Sequence, residues 1–321
     1  MTHLRRDRGW LTAALLALAL LLSACGGDSG GGGEEADTEG GATEGAAGED
    51  PGTVVVGSTN FTEQELVAEM YALVLEEAGV AVERRFQLGS REVVLPALQA
   101  GDIGLYPEYV GTALEFLNGG AGEATADTEA TTELLREAFG DDVTVLEPAE
   151  AQDKNTLVVT QETAEEHGLE TTSDLQHVAG DMVLGGPPEC PQRPLCLPGY
   201  EETYGLEFAE FRALDAGGPL TVSALENGDI DVALMFTTQG IINANSWVSL
   251  EDDKGLQPAE NVVPVLRSEL ATDEITSALD EVSAVLTTEA LTELNKRVDV
   301  DGEAPADVAQ DFLVEEGLLE G

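Results

Sequence analysis

Little in this chain is of the right type and spacing for covalent chemistry. It has no Gly-rich phosphate loop, no nucleophile elbow and no His-x-x-x-His pair. Acidic side chains number 63 in 321 residues, so two of them close together carry almost no information, and a run such as Glu251-Asp252-Asp253 reads as a solvated face. Cys190 and Cys196 stand in a Pro-rich segment with five residues between them, which suits a disulfide in an oxidising compartment. A zinc site would need more ligands than His167 and His177 can add, so no metal or other cofactor is expected, and no catalysis. The residue types do offer recognition by aromatic faces. Tyr109 and Phe236 end two stretches that align without a gap, one beginning Ala97-Leu98-Gln99-Ala100-Gly101-Asp102-Ile103, the other Ala224-Leu225-Glu226-Asn227-Gly228-Asp229-Ile230. Both rings would also suit an ordinary core. Their matched position in the two copies favours a cleft.

Each stretch reads as a helix end, a glycine stop and a short apolar strand closed by an aromatic. The match extends upstream, where Phe86-Gln87-Leu88-Gly89 is echoed by Phe211-Arg212-Ala213-Leu214, and Val54-Val55-Val56-Gly57-Ser58 by Met182-Val183-Leu184-Gly185-Gly186. The chain therefore reads as two copies of a β-α-β-α-β unit, a period too long for a solenoid and right for two α/β lobes. Ligands of open α/β sheets sit outside the carboxyl ends of the strands, which would set Tyr109 and Phe236 across a cleft from each other. At the start of the first unit, Thr53 to Val56 is a β-branched strand and Gly57-Ser58-Thr59-Asn60-Phe61 a turn. Thr62-Glu63-Gln64-Glu65 is a capping box opening a helix with Leu66, Met70, Leu73 and Val74 at helical spacing, stopped by Gly79. Such a turn aims backbone N–H groups at the cleft, where a ligand carboxylate would be welcome. Asn60 either meets the ligand or caps its helix; Thr62 is expected to cap.

The N-terminus carries Arg5, Arg6 and Arg8, an apolar run from Trp10 to Leu22, and then Leu22-Ser23-Ala24-Cys25. That is the pattern of a signal peptide over 1–24 with a lipobox, too short for a lasting membrane span. It predicts a lipoprotein acylated on Cys25 and held at the outer face of a bacterial plasma membrane. Residues 25–52 are Gly, Ala, Glu, Asp and Thr with almost nothing large and apolar, a tether that cannot offset the entropy of ordering. The formal net charge is −49, with only 14 basic residues. Such a surface repels nucleic acid and anionic lipid, so contact with the membrane is expected only through the anchor. Dense surface acid is read as adaptation to salty surroundings, although it would also steer cations inwards.

Four motifs in order carry a resemblance: Gly57-Ser58-Thr59-Asn60-Phe61-Thr62-Glu63-Gln64, Gly101-Asp102-Ile103-Gly104-Leu105-Tyr106-Pro107-Glu108-Tyr109-Val110-Gly111-Thr112, Tyr204-Gly205-Leu206 and Leu250-Glu251-Asp252-Asp253-Lys254. Together they resemble the substrate-binding proteins of ABC importers for glycine betaine, choline and related osmoprotectants, over about Thr53 to Leu319. The resemblance implies a two-lobed α/β fold of the periplasmic-binding-protein type II kind, with the ligand in the interlobe cleft. Lobe 1 would comprise 53–153 and 255–321, and lobe 2 would comprise 154–254. It implies a small quaternary-amine solute and an ABC permease and ATPase as partners, the binding protein itself acting as a monomer. In such proteins tyrosines cage the ammonium, which has no hydrogen to donate and is attracted by aromatic faces. Thr and Arg hold a carboxylate tail, an arginine fork giving two parallel hydrogen bonds. Carried over, the cage Tyr and tail-binding Thr fall on Tyr109 and Thr112, and the arginine on Arg193.

The departures from the family pattern bear on the ligand. Thr59 stands where the family often has Lys, and the Asn-Asn-Thr-Tyr segment reads Lys154-Asn155-Thr156-Leu157, keeping Asn155 and losing an aromatic. One second-lobe Tyr falls on Phe236, another on Glu260. Two cage aromatics are thus missing and one is an acid, which opens the cleft to a different amine or an amino-acid-like solute. The competing classes are an enzyme or sensor on the same fold and an adhesive lipoprotein without a ligand. The first lacks convergent His, Cys or Ser-base pairs; the second would not need Thr112 and Arg193.

Overall fold

The computed structural model describes residues 52–320. The expected leader over 1–24, the lipidated Cys25 and all of the linker but Gly52 lie outside the described residues. Among the described residues no helix is long and apolar enough to cross a membrane.

The expected β-α-β-α-β unit occurs twice. The first copy is β1 (Val54–Gly57), α1 (Thr62–Glu77), β2 (Val82–Arg85), α2 (Arg91–Ala100) and β3 (Leu105–Tyr109), followed by α3 (Val110–Leu117), α4 (Thr128–Phe139) and β4 (Val143–Val145). After β5 (Asn155–Val159) and α5 (Gln161–His167) comes the second: β6 (Val183–Gly186), α6 (Leu197–Tyr204), β7 (Glu210–Ala213), α7 (Pro219–Glu226) and β8 (Val232–Phe236). Then follow α8 (Gly240–Ala244), β9 (Val248–Ser249), β10 (Val262–Arg267) and three closing helices, α9 (Asp273–Val285), α10 (Thr288–Asp299) and α11 (Pro305–Glu315).

Two five-stranded sheets result, ordered β2-β1-β3-β10-β4 and β7-β6-β8-β5-β9. In each, three strands run parallel because helices carry the chain back between them. The fourth strand of each is antiparallel and comes from beyond a passage between the sheets: β5 lies against β8, and β10 against β3. The second passage falls late, since Leu256 still packs with the second sheet's core whereas Ala259 belongs to a core of the first.

The first sheet carries the larger core. Leu66, Met70 and Val74 of α1 are buried as their spacing requires, but Tyr71, Ala72 and Leu75 on its other faces are buried too, because α9 and α11 cover the side away from the sheet. Leu73 is only half-buried, at the margin of that core. Leu279, Val282 and Leu286 of the closing segment join it, as their helical spacing predicts. The expected capping box is corrected: Phe61 occupies the N-cap of α1 with no side-chain cap, and the Thr62 hydroxyl donates instead to Asp299 Oδ1 at 2.6 Å. A tertiary acceptor from α10 outcompetes the local one. Gly101 ends α2 in the left-handed region, φ 81°, where a side chain would be strained.

Candidate functional site

A cavity of about 550 Å³ opens where the carboxyl ends of β1, β3, β6 and β8 approach one another, within the range of small-molecule sites. Its wall brings together all seven residues expected at a site: Asn60, Tyr109, Thr112, Asn155, Arg193, Phe236 and Glu260. Leu157, which stands in place of a cage aromatic, is fully buried in the second sheet's core and is not part of the wall.

Three rings make one aromatic surface across the two sheets. Phe61, at the end of the turn after β1, stacks on Phe236 with centroids 5.1 Å apart and on Tyr109 at 6.3 Å. The simple facing pair expected from the repeat is therefore a trio bridged by Phe61. Beneath it Tyr109 donates its hydroxyl to Glu63 Oε1 at 2.6 Å, and Glu63 also accepts from the Thr238 hydroxyl and from Asn295 Nδ2, the latter at 2.6 Å. Asp153, between β4 and β5, accepts from the Thr238 N–H at 3.1 Å. Burial pushes both carboxyls up, and the charge of Glu63 adds to the effect on Asp153. Tyr109 of one sheet is thus tied through Glu63 to Thr238, which follows β8 of the other.

The basic side chains of the wall are committed. Arg91, at the start of α2, donates Nε to Glu108 Oε1 at 2.6 Å and Nη2 to Glu108 Oε2 at 2.7 Å, and Nη2 also reaches Thr112 Oγ1 at 2.7 Å. Burial opposes its charge, yet Glu108 holds it above the usual arginine range. Arg193 sits in the loop closed by the Cys190–Cys196 disulfide. Its Nε and Nη2 donate to Glu92 Oε1 and Oε2 at 3.1 and 2.9 Å, a fork-to-fork pair between the second-sheet loop and α2 of the first. Partial burial works against the Glu92 carboxylate, but the Arg193 hydrogen bonds hold it down to about 2.

Thr112 links this network to Glu260. Its N–H and hydroxyl both donate to Glu260 Oε2, at 3.1 and 3.2 Å, while Glu260 Oε1 is buried with no hydrogen-bond partner. Only 1% of Glu260 is exposed, and burial pushes its carboxyl up to about 8. Gly111 explains itself here: a Cβ on it would meet Pro258 Cγ at 2.6 Å, the Ala259 carbonyl at 2.7 Å and Glu260 Oε1 at 2.8 Å. Asn155 Nδ2 donates to the Leu195 carbonyl at 3.1 Å, supporting the disulfide loop from below.

Sequence reasoning missed Phe61, Arg91, Glu92 and Glu108 as members of the wall. With so few basic residues in the chain, Arg91 beside a cleft motif was the available signal. Among the described residues no group of three or more His, Cys, Asp or Glu side chains is placed to hold a metal.

Two sheets of one strand order, joined by two passages and meeting at a cleft with an aromatic wall, define a two-lobed solute-binding protein. Over residues 52–315 the chain matches the substrate binding domain of ABC-type glycine betaine transport systems, and it belongs to that family. It is 29% identical over 276 residues to the glycine betaine-binding protein YehZ of Escherichia coli, covering 82% of this chain and 90% of that one. It is 30% identical over 284 residues to a glycine-betaine-binding protein of Pseudomonas aeruginosa, covering 84% and 89%. A crystal structure described as a glycine betaine/carnitine/choline ABC transporter superposes with a TM-score of 0.66 at 26% identity, covering 83% of this chain and all of the other. The protein is accordingly a transport substrate-binding protein and not an enzyme.

Proposed function

We propose that the protein captures a quaternary amine or closely related solute outside the cytoplasm, tethered to the plasma membrane through acylated Cys25, and hands it as a monomer to an ABC permease. The observation that carries this reading is the aromatic surface built from both sheets, Phe61 and Tyr109 from one and Phe236 from the other. Such a surface suits an ammonium without N–H groups, and a solute touching both lobes favours the closed form because it binds that form more strongly. Asn60, Thr112 and Asn155 then form the polar part of the cleft wall. Glu260 supports a second reading on the same fold, a different amine or an amino-acid-like solute, because it puts an acid where the family pattern has a ring.

The test is a melting-temperature titration with quaternary amines and amino acids. A solute at a hundred times its dissociation constant stabilises by about 2.7 kcal/mol. Tyr109→Ala should abolish the shift without unfolding the protein, and retention of the full shift would remove the ring from the site. Fractionation of cells expressing Cys25→Ala, with the protein lost from membranes, tests the anchor.

A further inference from the structure

We infer that the cleft selects amines of net positive charge that lack a carboxylate over zwitterionic betaines, with Glu92 occupying Arg193 in the position a ligand carboxylate would need and Glu260 serving as the counter-ion. This rests on the amine-capture reading above and names the charge of what is captured.

A zwitterion needs a cation for its acid end, and each cation of the wall is already paired with a protein carboxylate. Its basic side chains are Arg91 and Arg193, and each gives a two-bond edge of its guanidinium to a carboxylate of the protein. Arg91 spends a further N–H on Thr112, and Thr112 in turn spends both its donors on Glu260. The two groups that the family pattern assigns to a carboxylate tail are therefore engaged with acids already. A ligand carboxylate at Arg193 must either displace Glu92 or share the guanidinium with it, and either way two like charges stand beside one partly buried cation, which weakens the zwitterion's hold.

Acids outnumber bases on the wall, and one of them lacks a partner. Glu260 is buried on the cavity wall and Oε1 has no donor. A buried acceptor without a partner is rare in native proteins and costs free energy until something satisfies it. A methylated cation seated against Phe61, Tyr109 and Phe236 has no hydrogen to give Oε1, but its charge favours the ionised form of Glu260, which keeps its proton near neutrality while the cleft is empty, and the rings attract the same species by their π-faces. Aromatic wall and acid thus favour one kind of ligand, and the committed arginines disfavour the other.

Calorimetric titration of the purified full chain with choline, tetramethylammonium and glycine betaine decides the matter, since all three share the methylated head. Wild type should bind a carboxylate-free cation at least ten-fold more tightly than glycine betaine. Glu260→Gln should lower cation affinity at least ten-fold and betaine affinity by less, because for the zwitterion the lost attraction of the head is offset by relieved repulsion of its carboxylate, and Glu92→Gln should release Arg193 and raise betaine affinity at least ten-fold. If Glu260→Gln fails to fold, the cation-to-betaine ratio in Glu92→Gln carries the test alone. Betaine binding more tightly than choline and tetramethylammonium, or a ratio unmoved by the variants, overturns the charge assignment and leaves amine capture standing. No binding of any of the three overturns amine capture, and the inference with it.

Discussion

Glu260 should make the protein less stable as pH rises through neutrality, by an amount the structure sets. Its carboxyl titrates near 4.5 when solvated and is pushed up to about 8 in the fold, first by burial and further by the charge of Glu108. Opposing this are the two Thr112 donors and the attraction of Arg91, whose charge is largely spent on Glu108. The folded protein thus holds a proton that the unfolded chain has shed. Stability from this group is complete below pH 4.5 and is lost progressively as pH climbs to about 8. One proton corresponds to about 1.4 kcal/mol per pH unit, so the whole window is worth up to about 5 kcal/mol. Glu63 and Asp153 are shifted in the same direction, so the wild-type slope contains their contributions too. Glu260→Gln, which imitates the neutral acid, isolates the one of interest. Urea unfolding of both proteins at fixed ionic strength, in steps from pH 5 to 8, should show the variant gaining on wild type by about 1 kcal/mol or more per pH unit. Stability curves that run parallel across this range would refute the reasoning, because Glu260 would then be solvated or ionised in the fold.

Three other changes probe the remaining parts of the site. Gly111→Ala drives a Cβ into Pro258, the Ala259 carbonyl and Glu260, and should cost about 1–3 kcal/mol in denaturant unfolding while weakening solute binding through the displaced Glu260. Phe61→Ala removes the ring that joins Tyr109 to Phe236, and should weaken amine binding about ten-fold in calorimetry with intact far-UV circular dichroism. Replacing Cys190 and Cys196 by Ser opens a short loop, so about 2 kcal/mol of stability should go, measured by thermal unfolding. Affinity for a carboxylate-free amine should fall as well, because the loop that supplies Gln192, Pro194 and Leu195 to the cleft wall loses its frame.

The strand and helix pattern, the duplication and the place of Tyr109, Phe236 and Asn60 at a cleft were legible from the residues, while Thr112, Asn155, Arg193 and Glu260 were placed there by resemblance to a family. Periodicity and glycine stops are local properties, and a repeated unit must repeat its geometry: β1-β3 and β6-β8 stand in the same order in their sheets. Tyr109 and Phe236 could be placed because they end equivalent strands, and the carboxyl ends of such strands face the cleft. Only the tertiary structure decided how those side chains are used. Glu92 and Arg193 are 101 residues apart, and Thr112 and Glu260 are 148 apart. No spacing rule reaches that far, and among 63 acidic residues nothing local marks the two that matter. The same holds for Thr62, whose local capping signature lost to Asp299 of α10, 237 residues away. Short-range periodicity places Tyr109, Phe236 and the turn of Asn60 at the cleft, and the family resemblance adds Thr112, Asn155, Arg193 and Glu260. Whether a guanidinium there is free, or a carboxylate ionised, depends on partners and burial that exist only once both sheets have formed and closed over the cleft.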